Sequence, residues 1–169
     1  MGIAASEFED AYEDIERDCG VDLMEPIRSL EPRKPIFVQL GTPLLEAITA
    51  MNDAHTGCVL VTEGDRLVGI LTERDILKKV VGQLDLDSPV ERIMTLNPET
   101  VEMDDSIAHV LNKMHIGGYR HIPVLDRQSR PVGVVSMRDF VKFIVSLCPA
   151  AVLNEPPEPG LAARGLHGG

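Results

Sequence analysis

Two short stretches hold the residues best suited to chemistry. Thr72-Glu73-Arg74-Asp75 and Ser136-Met137-Arg138-Asp139 each place a hydroxyl, a guanidinium and a carboxylate within one helical turn. Each follows an apolar run that passes through a glycine, Gly69 or Gly133. The hydroxyl and carboxylate can together hydrogen-bond a vicinal diol such as a ribose, and the glycine lets backbone approach a ligand. Free N–H groups and the dipole at a helix start favour a phosphate, for which Arg74 or Arg138 is a bidentate donor. The same Thr-x-x-Asp and Ser-x-x-Asp patterns also suit capping boxes, in which hydroxyl and acid satisfy each other's backbone donors. A cap requires neither the arginine nor the glycine, and both stretches carry both.

No other constellation competes. His55, His109, His115, His121 and His167 lack metal-ligand spacing such as HExxH, and no cysteine pair has CxxC spacing. Cys58, on an apolar run, reads as a small buried hydrophobe rather than a nucleophile. With no nucleophile–base pair and no P-loop, no catalytic residue is assigned and an enzyme ranks last among the readings.

The elements that must position these quartets come from an internal repeat. Gly69-Ile70-Leu71-Thr72-Glu73-Arg74-Asp75 recurs 64 positions on as Gly133-Val134-Val135-Ser136-Met137-Arg138-Asp139. Val38–Met51 matches Val101–Met114 at an offset of 63, and the one-residue slip falls between Val61 and Gly69, where a turn absorbs it. Farther upstream, Glu25–Pro32 is aligned with Glu91–Pro98, which sets Ser29 against Thr95.

Each copy reads strand, helix, strand, strand, helix. Asp104 is the expected cap of a helix carrying Ile107, Val110, Leu111 and Met114 at helical spacing, and Gly117-Gly118 ends it. His121–Leu125 and Pro131–Val135 flank a polar turn as a hairpin, and Ser136 opens a last helix. In the first copy Thr42-Pro43 starts a helix, the runs 58–61 and 67–71 pair around Glu63-Gly64-Asp65, and Thr72 opens a helix. Ser88-Pro89-Val90-Glu91 has a capping-box pattern and predicts a short linker helix. Residues 6–18 predict a further helix with Phe8, Tyr12 and Ile15 on one stripe, and the Pro- and Gly-rich end reads as a flexible tail.

Charge and composition exclude several classes. The 169 residues carry a net charge of -11, of which residues 1–20 supply -6 through seven acids against Arg17. A chain without a basic face is a poor general binder of nucleic acid or anionic membrane. No apolar run is long enough to cross a bilayer, and three scattered cysteines suit a reducing, cytoplasmic setting. Aromatics are 4% with no Trp, so the core is built from aliphatic side chains.

Val68-Gly69-Ile70-Leu71-Thr72-Glu73-Arg74-Asp75-Ile76 and its second copy resemble the closing signature of the CBS (cystathionine β-synthase) domain family. Tyr119–Asp126 resembles that family's middle strand, and Ile93–Val101 its opening. The likeness covers about residues 24–147 and implies an α+β fold of two pseudo-symmetric repeats, β-α-β-β-α each, packed through their sheets. The implied divisions are an acidic N-terminal helix (1–20), repeat one (21–82), repeat two (83–147) and a tail (148–169). Adenosine-containing ligands are then expected in clefts between the repeats: AMP, ADP or ATP, with S-adenosylmethionine as a further candidate. Mapped by resemblance, Thr72 with Asp75 and Ser136 with Asp139 hold ribose, and Thr95 and Ser29 lie beside the base. Backbone of Val59-Leu60 and Ile122-Pro123 lines the adenine slot, while Arg74, Arg138, Arg120 and His121 meet phosphates. Neither a catalytic cofactor nor a metal is expected.

Copy one has Gly57-Cys58-Val59-Leu60 where copy two has Arg120-His121-Ile122-Pro123, which favours the second quartet as the better site. The resemblance also implies a homodimer through the helices at 43–54 and 105–116, whose apolar stripes are broader than one sheet covers. Such modules regulate a fused or separate enzyme or transporter. The competing expectation is a structural or interaction protein whose clefts stay empty.

Overall fold

The computed structural model describes residues 22–80 and 84–147. The expected N-terminal helix (6–18) and tail lie outside the described residues, as do Cys19, Cys148 and His167. Residues Leu23–Asp139 form one compact unit that contains both sheets, whereas Phe140–Leu147 belong to another.

The elements follow the predicted order in each copy, with one unpredicted strand added at the head of copy two. Copy one has β1 (Phe37–Gln39), α1 (Leu44–Asp53), β2 (Cys58–Glu63), β3 (Arg66–Thr72) and α2 (Glu73–Lys79). Copy two begins with β4 (Thr95–Leu96), followed by β5 (Val101–Glu102), α3 (Ile107–Gly117), β6 (His121–Leu125), β7 (Pro131–Ser136) and α4 (Met137–Leu147). In each copy a short strand pairs parallel with the first hairpin strand: β1 with β2, and β5 with β6. The hairpins are antiparallel and each carries a register shift on its last turnward pairs, at Val61/Thr62 and Val124/Leu125. The slip between copies lies in the hairpin turn, since Thr62 pairs Leu67 and Leu125 pairs Pro131.

Alternation along β2 explains how one strand serves two cores. Val59 and Val61 join Leu44, Ala47 and Met51 of α1 in the larger cluster. Cys58 and Leu60 point the other way and pack with Ile70 of β3 and Val134 of β7, so the sheets face each other. All of these side chains are under 9% exposed.

The copies are also laced together by backbone. Leu44 and Leu45 at the start of α1 donate to the carbonyls of Ser88 and Leu86, from copy two's lead-in. Ile107 and Ala108 at the start of α3 donate to Glu25 and Leu23, from copy one's. Every one of these pairs is related by an offset of 63. Orphan N–H groups at each helix start are thereby satisfied by carbonyls of the opposite repeat.

That arrangement corrects several expectations. Ser88 forms no capping box; Pro89 takes the cap position of a 3-10 turn (Val90–Arg92) that has no side-chain cap, and the carbonyl of Ser88 accepts from Leu44 N. Glu91 instead accepts from the N–H of Gly41. Asp104 does not cap α3. It pairs with Arg28, and the cap is Ser106, whose Oγ accepts from His109 N at 3.2 Å. Gly118 takes the left-handed conformation expected past a helix end, φ 65°.

The upstream alignment shifts as well. Pro26 and Ile27 are equivalent to Pro89 and Val90, three residues from where sequence similarity sets them. Arg33 pairs with Val134 as Thr95 pairs with Ile70, so Arg33, not Ser29, is the counterpart of Thr95. Each opening segment therefore adds an edge to the other repeat's hairpin.

Candidate functional site

Two cavities lie between the repeats, of about 540 and 640 Å³. Each takes its hydroxyl–carboxylate pair from one repeat and its opening segment from the other. The first, the Asp139 cavity, joins Ser136, Arg138 and Asp139 to Arg33–Ile36 and to His55–Cys58. The second, the Asp75 cavity, joins Thr72, Arg74 and Asp75 to Thr95–Glu99 and to Gly118–His121.

Asp75 and Asp139 both sit in the first turn of the helix after a hairpin. Asp75 Oδ2 accepts from Thr72 N at 3.1 Å and Thr72 Oγ1 at 2.6 Å, and Asp75 N donates back to Thr72 Oγ1 at 3.3 Å. This is a complete capping box. Its other oxygen meets Lys79 Nζ at 2.8 Å. Burial pushes the Asp75 carboxyl up, but Lys79 and Thr72 together outweigh it and hold the group below its usual value. Asp139 Oδ2 accepts from Ser136 N at 2.8 Å and Ser136 Oγ at 2.6 Å, while Oδ1 faces Arg33 Nε at 3.4 Å. Asp139 is 6% exposed. A buried carboxylate fixed in this way costs little more to organise around a diol.

Arg120, His121, Gly57 and Glu73 line both cavities. The backbone holds these junction residues symmetrically: Glu73 N donates to Gly57 O, and Met137 N to Arg120 O, each at 3.0 Å. A Cβ on Gly57 would lie 3.2 Å from the His121 ring and 3.3 Å from Glu73 Oε2, so a side chain there would crowd the junction. Burial holds His121 below its ordinary pKa; Glu73 and Asp139 oppose that, while Arg120 and Arg33 reinforce it. Burial also pushes the Cys58 thiol up to about 11, which leaves it protonated and a poor nucleophile.

The remaining mapped residues divide. Leu60 lines the Asp139 cavity and Thr95 the Asp75 cavity. Val59, Ile122 and Pro123 do not line either cavity, and the Val59 side chain packs in the helix-side core. Ser29 lies outside both, with its Oγ donating to Pro26 O at 2.8 Å. The glycines serve another purpose than ligand approach. A Cβ on Gly69 would stand 2.6 Å from Met94 Sδ, and one on Gly133 would stand 3.0 Å from Pro32 Cβ, so both make room for the other repeat's opening segment. Lys34, His55 and Glu99 were missed by sequence reasoning, because each enters its cavity from the repeat that does not supply the carboxylate.

Among the described residues, no group of three or more His, Cys, Asp or Glu could hold a metal ion. None of their helices is long and apolar enough to cross a membrane.

The CBS domain family model matches residues 27–82 and again 90–146. A 17.7 kDa protein of Acidianus ambivalens is 31% identical over 72% of this chain and 74% of its own. The CBS domain-containing protein CBSCBSPB3 of Arabidopsis thaliana is 31% identical over 68% of this chain, which spans only 21% of that relative. A CBS domain protein from Pyrobaculum aerophilum, solved with AMP, superposes with a TM-score of 0.66 at 29% identity, covering 74% of this chain and 99% of the other. The CBS domain pair of protein MJ0100, solved with 5′-methylthioadenosine and S-adenosyl-L-methionine, gives 0.64 at 27% identity, covering 70% and 98%.

Proposed function

This chain belongs to the CBS domain family, and we propose that it is a cytoplasmic regulatory module that binds adenosine-containing nucleotides and signals to a separate enzyme or transporter. The observation that carries the reading is the paired geometry of Thr72–Asp75 and Ser136–Asp139. Each hydroxyl–carboxylate pair is locked at a helix start on the wall of a cavity large enough for a nucleotide. The structural relatives with AMP and with S-adenosyl-L-methionine support adenosine as the shared chemistry. Thr72, Arg74, Asp75 and Thr95 serve one cavity, and Ser136, Arg138 and Asp139 the other, with Arg120 and His121 at their junction. The module has no catalytic role in this reading.

The complete capping box at Asp75 favours a second reading, in which the quartets only stabilise helices and the cavities bind nothing. Isothermal calorimetry with AMP, ADP, ATP and S-adenosylmethionine separates the two. Heat and a thermal shift with any of them support the sensor; no response at millimolar ligand leaves the structural module.

Exposed apolar side chains on two helices support self-association. Leu45 on α1 and Ile116 on α3 are 50% and 77% exposed. The module is a homodimer joined through these two helices, a closed two-fold being the commonest assembly.

A further inference from the structure

We propose that the two cavities are selective for different ligands: the Asp139 cavity for a nucleotide carrying 5′-phosphates, the Asp75 cavity for a nucleoside whose 5′ substituent is uncharged and apolar. The proposal rests on the nucleotide reading above and goes beyond it by dividing the ligands between sites. The junction residues line both cavities and cannot distinguish them. Of the other charged side chains, the Asp139 cavity has Arg33, Lys34 and Arg138 against Asp139 alone. The Asp75 cavity has Arg74 and Lys78 balanced by Asp75 and Glu99. Among these lining residues one cavity has an excess of two positive charges and the other has none, its acids being paired with Lys79 and Lys113 behind the wall.

The cations are also differently committed. Lys34 and Arg138 are exposed and enter no ion pair among the described residues. Arg33 faces Asp139 through Nε, which leaves its terminal nitrogens to meet an anion. In the Asp75 cavity, Arg74 Nη1 already donates to Gly118 O at 3.2 Å. Convergent, unpaired cations around a fixed carboxylate make a phosphate site beside a ribose site.

The Asp75 cavity offers apolar surface instead. Leu77 and Leu96 on its wall are 71% and 64% exposed, beside Ile70 and Tyr119. Covering that surface favours an apolar 5′ group, whereas a polyphosphate there would find Arg74 already bonded to Gly118 O and its charge offset by the nearby carboxylates.

Calorimetry on the full chain, with ADP and 5′-methylthioadenosine as probes, tests the division. Wild type is expected to bind both at once, so that saturation with one leaves the affinity for the other within about threefold. Lys34→Gln/Arg138→Gln is expected to weaken ADP at least tenfold and steepen no salt dependence, while 5′-methylthioadenosine binds as in wild type. Leu77→Gln/Leu96→Gln is expected to do the reverse. Full displacement of one probe by the other in wild type, or equal loss of both in Lys34→Gln/Arg138→Gln, overturns the division while nucleotide binding stands. Absence of heat from one probe alone overturns the division while nucleotide binding stands; absence from both removes the nucleotide reading and the division together.

Discussion

Arg33 of the first repeat and Asp139 of the second meet across a cavity, with Nε 3.4 Å from Oδ1. Neither is near the other in sequence, and the contact depends on the backbone exchange between Arg33 and Val134. Arg33 thus joins Asp139 on the wall of one cavity, each contributed by a different repeat.

Asp139→Asn distinguishes a binding carboxylate from a cap. If Asp139 only holds Ser136, the change costs about 1 kcal/mol of stability and nothing else. If it accepts ribose hydroxyls, it costs about 1.5–3 kcal/mol of binding, roughly 10- to 150-fold in affinity. The second outcome is expected, read by calorimetry with AMP or ADP. The rise in melting temperature induced by ADP should shrink in this variant and persist in Asp75→Asn, whereas the rise induced by 5′-methylthioadenosine should shrink in Asp75→Asn. An unchanged dissociation constant in Asp139→Asn would remove Asp139 from the site.

The junction predicts a pH dependence. His121 is held below its ordinary value, chiefly by burial, so the unfolded chain takes up this proton first as pH falls. The stability it contributes is fully present above the unfolded pKa of 6.5 and is lost as pH drops through the lower folded value. A bound phosphate favours the charged ring, so ADP should bind more tightly at pH 6 than at pH 8, by about three- to tenfold. His121→Gln should flatten that profile. Equal slopes in wild type and variant would place the titration elsewhere.

Gly133→Ala should destabilise the fold by about 1–3 kcal/mol. The new methyl would stand 3.0 Å from Pro32 Cβ, a ring atom with little room to move. Gly69→Ala meets the flexible end of Met94 first, at 2.6 Å, although Thr95 O also lies 3.1 Å away. It should cost less. Urea unfolding of both variants measures the order, and a larger loss at Gly69 would refute this account of the interface.

Light scattering at tens of micromolar should give twice the chain mass. Leu45→Glu/Ile116→Glu should give a monomer with its melting curve still cooperative, since both side chains are already solvent-exposed in the single chain. A monomeric wild type would remove these helices as the interface.

The repeat, the order of elements and the two hydroxyl–carboxylate quartets were legible in the sequence, because they rest on local signals: continuous apolar runs, helical spacing, and turns at Gly64 and Gly118. The sequence also placed Cys58 in the core. What it misplaced was the start of each repeat. Ile27–Leu30 and Val90–Arg92 are short 3-10 turns with no hydrophobic period to align, so the sequence sets Ser29 against Thr95 although Arg33 occupies that position. Only the tertiary structure decided that each opening segment crosses to the other repeat, against Gly69 and Gly133. That choice is a matter of long-range backbone pairing and steric room, and it brought Arg33 and Lys34 to Asp139 and Thr95 to Asp75. Local residue types can specify a carboxylate at a helix start, but which cations face it depends on how two separately legible halves dock.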